Sequence, residues 1–87
     1  APAAGEGRAY VSVKSPMVGV FYAAPAENAD PYVSIGDRVK RGQTLCIVEA
    51  MKLMNEITAE EDGVIAEICA AHGQVVEFGT ELFRIER

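Results

Sequence analysis

The chain has 87 residues, 49% of them hydrophobic, and 8 basic against 13 acidic side chains give it a net charge of −5. That length sets one small domain, with a modest core and little room for an enclosed active site. The acidic balance argues against nucleic acid or an anionic membrane as a partner, and no apolar run approaches the length of a membrane span.

Residues 1–8 are rich in Ala, Pro and Gly and read as the end of a flexible linker; residues 9–87 read as the folded domain. There is no signal-peptide pattern, and a start without Met suggests a fragment of a longer chain or a processed product. Past Ala9-Tyr10-Val11 the chain repeats itself. The pattern G-x-x-V-x-x-G-x-x-L-x-x-[VI]-E begins at Gly36 and again at Gly73, an offset of 37 with five identities. In each copy a glycine supplies a turn with positive φ, and a short strand follows, centred on Val39 or Val76. A second glycine, Gly42 or Gly79, turns the chain again into a longer strand. Many short strands with glycine punctuation predict an all-β fold, a flattened β-barrel or sandwich of two four-stranded antiparallel sheets around a pseudo-two-fold axis. Expected core residues are Leu45, Val48, Ile57, Val64, Ile68, Val76, Leu82 and Ile85.

Each copy is preceded by another glycine, Gly19 or Gly63, and all six are read as turn glycines. Gly19 lies 17 positions before Gly36, whereas Gly63 lies 10 before Gly73, so the first half carries seven extra residues. They fall within Tyr22-Ala23-Ala24-Pro25-Ala26-Glu27-Asn28-Ala29-Asp30-Pro31-Tyr32, whose prolines and Asn-Ala-Asp-Pro signal mark a protruding, semi-rigid loop. The residues alone leave even odds between a tolerated surface insertion and a functional finger.

The two halves meet at Glu49-Ala50-Met51-Lys52-Leu53-Met54-Asn55, with strand-like runs on both sides. Lys52 is therefore expected at an exposed hairpin tip. A two-residue hairpin prefers Asn-Gly or Asp-Gly, because both central residues need positive φ. Met51-Lys52 breaks that rule, and such breaks gather at functional positions. Cys46 and Cys69 lie in apolar runs without metal-ligand spacing and read as reduced, buried or half-buried residues. His72, before a turn glycine, reads as a solvated turn residue. No nucleophile–base pair, carboxylate dyad or phosphate loop is present, so the domain reads as a carrier that performs no chemistry by itself.

Glu-Ala-Met-Lys at such a tip, with Ser15-Pro16-Met17-Val18-Gly19 and Gly73-Gln74-x-Val76, resembles the biotinyl domains over residues 10–87. Lipoyl domains place Asp-Lys-Ala at the equivalent turn, where this chain has Met51-Lys52-Leu53. Leu53 stands where many biotinyl domains have methionine, though leucine is also common there. The extra loop resembles the "thumb" of acetyl-CoA carboxylase carriers of bacterial or plastid type, which places the chain in a bacterial cytoplasm or plastid stroma.

The resemblance implies covalent biotin on Lys52, with Glu49, Ala50, Met51, Leu53 and Met54 as the recognition surface around it and residues 22–32 contacting the biotin ring. It also implies three partners. A biotin protein ligase acylates the Lys52 amine from biotinyl-adenylate. A biotin carboxylase charges the cofactor, and a carboxyltransferase passes the carboxyl group to acetyl-CoA, giving malonyl-CoA for fatty acid biosynthesis. An exposed lysine amine is almost wholly protonated at neutral pH, so the ligase must supply the deprotonation. The alternatives are a carrier domain of another biotin-dependent carboxylase or decarboxylase, a lipoyl carrier, and an unmodified adaptor module.

Overall fold

The computed structural model describes residues 10–87, which form eight strands and no helix. In chain order these are β1 (Tyr10–Lys14), β2 (Gly19–Tyr22), β3 (Arg38–Val39), β4 (Thr44–Ala50), β5 (Leu53–Thr58), β6 (Gly63–Ile68), β7 (Val75–Val76) and β8 (Glu81–Glu86). They make two four-stranded antiparallel sheets, ordered β1-β8-β6-β3 and β5-β4-β2-β7. The sheets share no ladder among the described residues, so of the two expected forms the fold is the flattened sandwich. The predicted linker, residues 1–8, lies outside the described residues.

The sequence repeat becomes a pseudo-two-fold axis. Exchanging β1 with β5, β2 with β6, β3 with β7 and β4 with β8 turns one sheet order into the other. The turns obey the same exchange. Gly36 N–H donates to the Ile65 carbonyl at 2.8 Å, and Gly73 N–H to the Phe21 carbonyl at 2.7 Å. Gly42 N–H donates to the Ala59 carbonyl and Gly79 N–H to the Ser15 carbonyl, both at 2.8 Å. Every one of these bonds crosses from one half to the other, so the halves interlock at their turn glycines. The four glycines hold φ between 86° and 95°, as the repeat predicts.

Gly19 and Gly63 differ from that expectation. Each opens a strand, β2 or β6, and neither has positive φ. A Cβ on Gly19 would press on the Glu49 carbonyl oxygen and lie 2.8 Å from Val48 Cγ1. One on Gly63 would lie 2.6 Å from the Glu86 carbonyl oxygen and 2.5 Å from Ile85 Cγ2. These two glycines serve close approach between strands.

The core fills the space between the sheets. Leu45, Val48, Val76, Leu82 and Ile85 are buried as expected, and Ile57 and Ile68 pack at its margin. Val64 is only half-buried, because strand alternation aims its neighbour Ile65 inward instead. The centre is aromatic, with Phe21 and Phe83 fully buried and their ring centroids 5.9 Å apart. Cys46 is buried, and desolvation pushes its thiol up to about 12. Cys69 is exposed, contrary to expectation, and both thiols are free.

Candidate functional site at the β4–β5 tip

In the β4–β5 ladder Ala50 pairs with Leu53, which leaves Met51-Lys52 as a two-residue loop. Both residues are left-handed, with φ of 53° and 65°, the pair of positive values that a type I′ turn needs. For non-glycine residues that geometry costs on the order of 1 kcal/mol each. The hairpin below holds it in place: six pairs run from Thr44↔Thr58 to Ala50↔Leu53. The Asn55 side-chain amide adds bonds to the Val48 carbonyl at 3.2 Å and the Leu53 carbonyl at 3.3 Å. Lys52 is exposed and makes no hydrogen bond or ion pair with any described residue. Met51 beside it is 90% exposed. The tip thus presents an unengaged amine on a rigid base.

The inserted loop joins β2 to β3, where the repeat locates the seven extra residues. Its neck is fastened at three points. Tyr22 OH donates to Glu49 Oε1 at 3.2 Å, so Glu49 has a structural partner. Desolvation, then this bond, holds the Tyr22 phenol above its usual range. Ala23 N–H donates to His72 Nδ1 at 3.0 Å, and the Tyr22 and His72 rings meet edge-on with centroids 5.4 Å apart. Tyr32 N–H then closes onto the Ala23 carbonyl at 2.9 Å. His72 is exposed, as expected, but it also anchors the thumb; only its place before Gly73 was visible in sequence, and that carries no such signal.

Two recesses flank the hairpin. One, of roughly 120 Å³, lies between the thumb and the tip and is lined by Tyr22, Ala24, Pro25, Ala26, Glu27, Met54 and His72. The structure therefore brings the thumb to Met54, while Lys52 does not line this recess. The other, of roughly 410 Å³, is lined by Met17, Val18, Ala50, Met51, Leu53 and Asn55. Glu49 and Ala50 are half-buried at the end of β4, and Leu53 and Met54 are exposed at the start of β5. Met17 and Val18, quoted from the sequence only as part of a motif, thus stand beside the tip.

Fold and tip together define a module that displays one amine on a strained hairpin. The Biotin_lipoyl family model, described as "Biotin-requiring enzyme", matches residues 11–85. The chain belongs to this family. It is 53% identical over 74 residues to the biotin carboxyl carrier protein of acetyl-CoA carboxylase of Nostoc sp., which covers 85% of this chain and 41% of that protein. The Haemophilus influenzae protein of the same name is 48% identical over 86 residues, 99% of this chain and 56% of that protein. The chain spans between 27% and 56% of the length of these and other curated relatives it matches. Among solved structures it is similar to a single-chain, multi-domain long-chain acyl-CoA carboxylase (TM-score 0.76, 20% identity, 90% of this chain and 7% of that one). It is also similar to the Kluyveromyces lactis urea carboxylase (TM-score 0.73, 27% identity, 88% of this chain and 6% of that one).

Proposed function

We propose that this chain is the biotin-carrying domain of an acetyl-CoA carboxylase, a non-catalytic carrier that bears biotin as an amide on Lys52 Nζ. The observation that carries this reading is the left-handed Met51-Lys52 tip with its unengaged amine. Identity of about half to named carrier proteins supports the choice of enzyme.

The residues fit the group. Among the described residues nothing competes for the Lys52 amine, and acylation removes a charge that none of them pairs with. The thumb recess offers apolar walls from Ala24, Pro25 and Met54 beside the polar edges of Tyr22 and His72, which suits a compact ring bearing a cyclic urea. Residues 22–32 would hold the ring there, with Tyr22–Glu49 and Ala23–His72 keeping the thumb's neck in place. When attached, biotin supplies a ring nitrogen that takes up and gives back a carboxyl group. The chain itself fixes the tether's root and keeps Met51, Leu53 and Met54 exposed around it for recognition.

The partners of this reading are a biotin protein ligase, a biotin carboxylase and a carboxyltransferase, with neither nucleic acid nor membrane among them. Relatives from bacteria and chloroplasts support a bacterial cytoplasm or a plastid stroma as its location. In this reading residues 1–8 would serve as the end of a linker and residues 9–87 as the carrier domain.

The test is the intact mass after co-expression with a biotin protein ligase and excess biotin, beside Lys52→Ala. One biotinyl group on the wild type and none on the variant is the expected result. No gain, or a lipoyl mass, would sink the reading.

A further inference from the structure

The pseudo-two-fold lets each surface position near Lys52 be compared with one of equivalent backbone in the other half. Val18 corresponds to Asp62, Phe78 to Arg41, Met17 to Glu61 and Ala50 to Arg87. The alignment is fixed by the matching Ser15/Ala59 and Gly42/Gly79 bonds and by the matching contacts at Gly19 and Gly63. In one copy these positions are charged. The Arg41 backbone N–H donates to Asp62 Oδ1 at 2.8 Å, and Arg87 Nη1 forms an ion pair with Glu61 Oε1 at 3.0 Å. In the copy beside Lys52 they are apolar. Met17 and Ala50 line the recess of roughly 410 Å³, while Val18 and Phe78 are 61% and 77% exposed. Val75, also exposed, stands where the other half has Arg38. The same scaffold folds with charge at these places, so folding does not call for the apolar side chains, and water disfavours them.

We propose that this strip is the docking surface for the biotin protein ligase, an inference that rests on the carrier reading above. Its Met17, Val18 and Ala50 are continuous with the tip, since Met51 and Leu53 line the same recess, and Val75 lies beyond them on β7, opposite Val20 of β2. The ligase also needs such a surface more than the later enzymes do. They can recognise the cofactor itself, whereas the ligase meets a bare amine. Lys14, Lys40 and Lys52 are all exposed, so selectivity for one of them has to come from the protein around it. Only Lys52 stands on the hairpin that borders the strip. With a net charge of −5 and Glu49 at the base of the tip, the complementary ligase surface is apolar with a basic rim.

The test exchanges one copy's chemistry for the other's. Val18→Asp with Phe78→Arg installs near Lys52 the charged residues that the fold already carries at Asp62 and Arg41. Asp62→Val with Arg41→Phe is the converse control, and Val75→Arg is an independent second variant should the pair fold poorly. Steady-state biotinylation of each purified domain is measured with its thermal melt. The expected result is a KM for the domain raised about tenfold or more by Val18→Asp/Phe78→Arg and by Val75→Arg, with kcat within about twofold. The control leaves KM unchanged. An unchanged KM in the folded tip-side variants, with wild type labelled normally, overturns the docking inference alone. So does an unchanged ligase KM with slowed carboxylation of the loaded variant, which assigns the strip to the carboxylase. Failure of the wild type to accept biotin sinks the carrier reading and this inference with it.

Discussion

Glycine performs two different tasks in this fold, and substitution by alanine separates them. At Gly36 an added Cβ meets nothing within 4 Å, so Gly36→Ala suffers only the strain of φ +95°, on the order of 1 to 2 kcal/mol. At Gly19 the backbone is ordinary and the space is absent. The new Cβ would lie 2.8 Å from Val48 Cγ1, well inside the 3.4 Å at which ordinary contact begins, and hard against the Glu49 carbonyl. Val48 is fully buried and cannot swing away, so β2 must back off from β4 and stretch their ladder. Overpacking of this kind costs about 1 to 3 kcal/mol, and a weakened hydrogen bond adds about 1. We expect Gly19→Ala to lose about 3 kcal/mol, which in a domain this small lowers Tm by roughly 12 to 24 °C. Gly63→Ala should match it, because its Cβ meets Ile85 and Glu86 as that of Gly19 meets Val48 and Glu49. Circular-dichroism melts and urea titrations of the three variants measure the order. A Gly19→Ala loss smaller than that of Gly36→Ala would refute the close-approach account. The pair also separates stability from function: Gly19→Ala disturbs the strand leading to Lys52 and should slow biotinylation, whereas Gly63→Ala should not.

Met51→Asn should raise stability by about 0.5 to 1 kcal/mol, because asparagine tolerates the left-handed region better, while it lowers the biotinylation rate; chemical denaturation and ligase kinetics read the two effects. His72→Ala removes the acceptor for Ala23 N–H and should speed hydrogen exchange at that amide about tenfold, leaving the sandwich core protected. Iodoacetamide should label exposed Cys69 in the native domain and reach Cys46 only on unfolding. Burial holds the folded Cys46 thiol protonated up to about 12 against an ordinary 9.0, so above pH 9 the unfolded chain ionises first. Stability should therefore be complete below that pH and fall by up to about 1.4 kcal/mol per pH unit as pH rises toward 12. An alkaline titration of Cys46→Ala that loses stability just as steeply would count against this.

The repeat made much of the fold legible. Gly36, Gly42, Gly73 and Gly79 recur at one spacing, and each takes the positive φ that the spacing implied. The tip was legible for the opposite reason, since Met51-Lys52 defies turn preference and is nonetheless a turn. What escaped depends on distant neighbours. Gly19 and Gly63 look like any other turn glycine until β4 and β8 arrive beside them. Val64 and Ile65 are equally apolar, and only the register against β8 decides which faces inward. His72 gives no local sign of the Ala23 amide 49 positions away.

The hairpin carries six cross-strand residue pairs up to two residues locked in the left-handed region, so the root of Lys52 is stiff. Freedom begins only beyond Cα, in the lysine methylenes and whatever they bear. Such an arm sweeps a dome of fixed radius above a firm pivot, like the boom of a crane whose mast does not bend. Two stations inside the dome can be served by torsions of the side chain alone. Stations farther apart require the whole domain to be carried between them, and the interval between visits is then set by the motion of the domain and no longer by the tip.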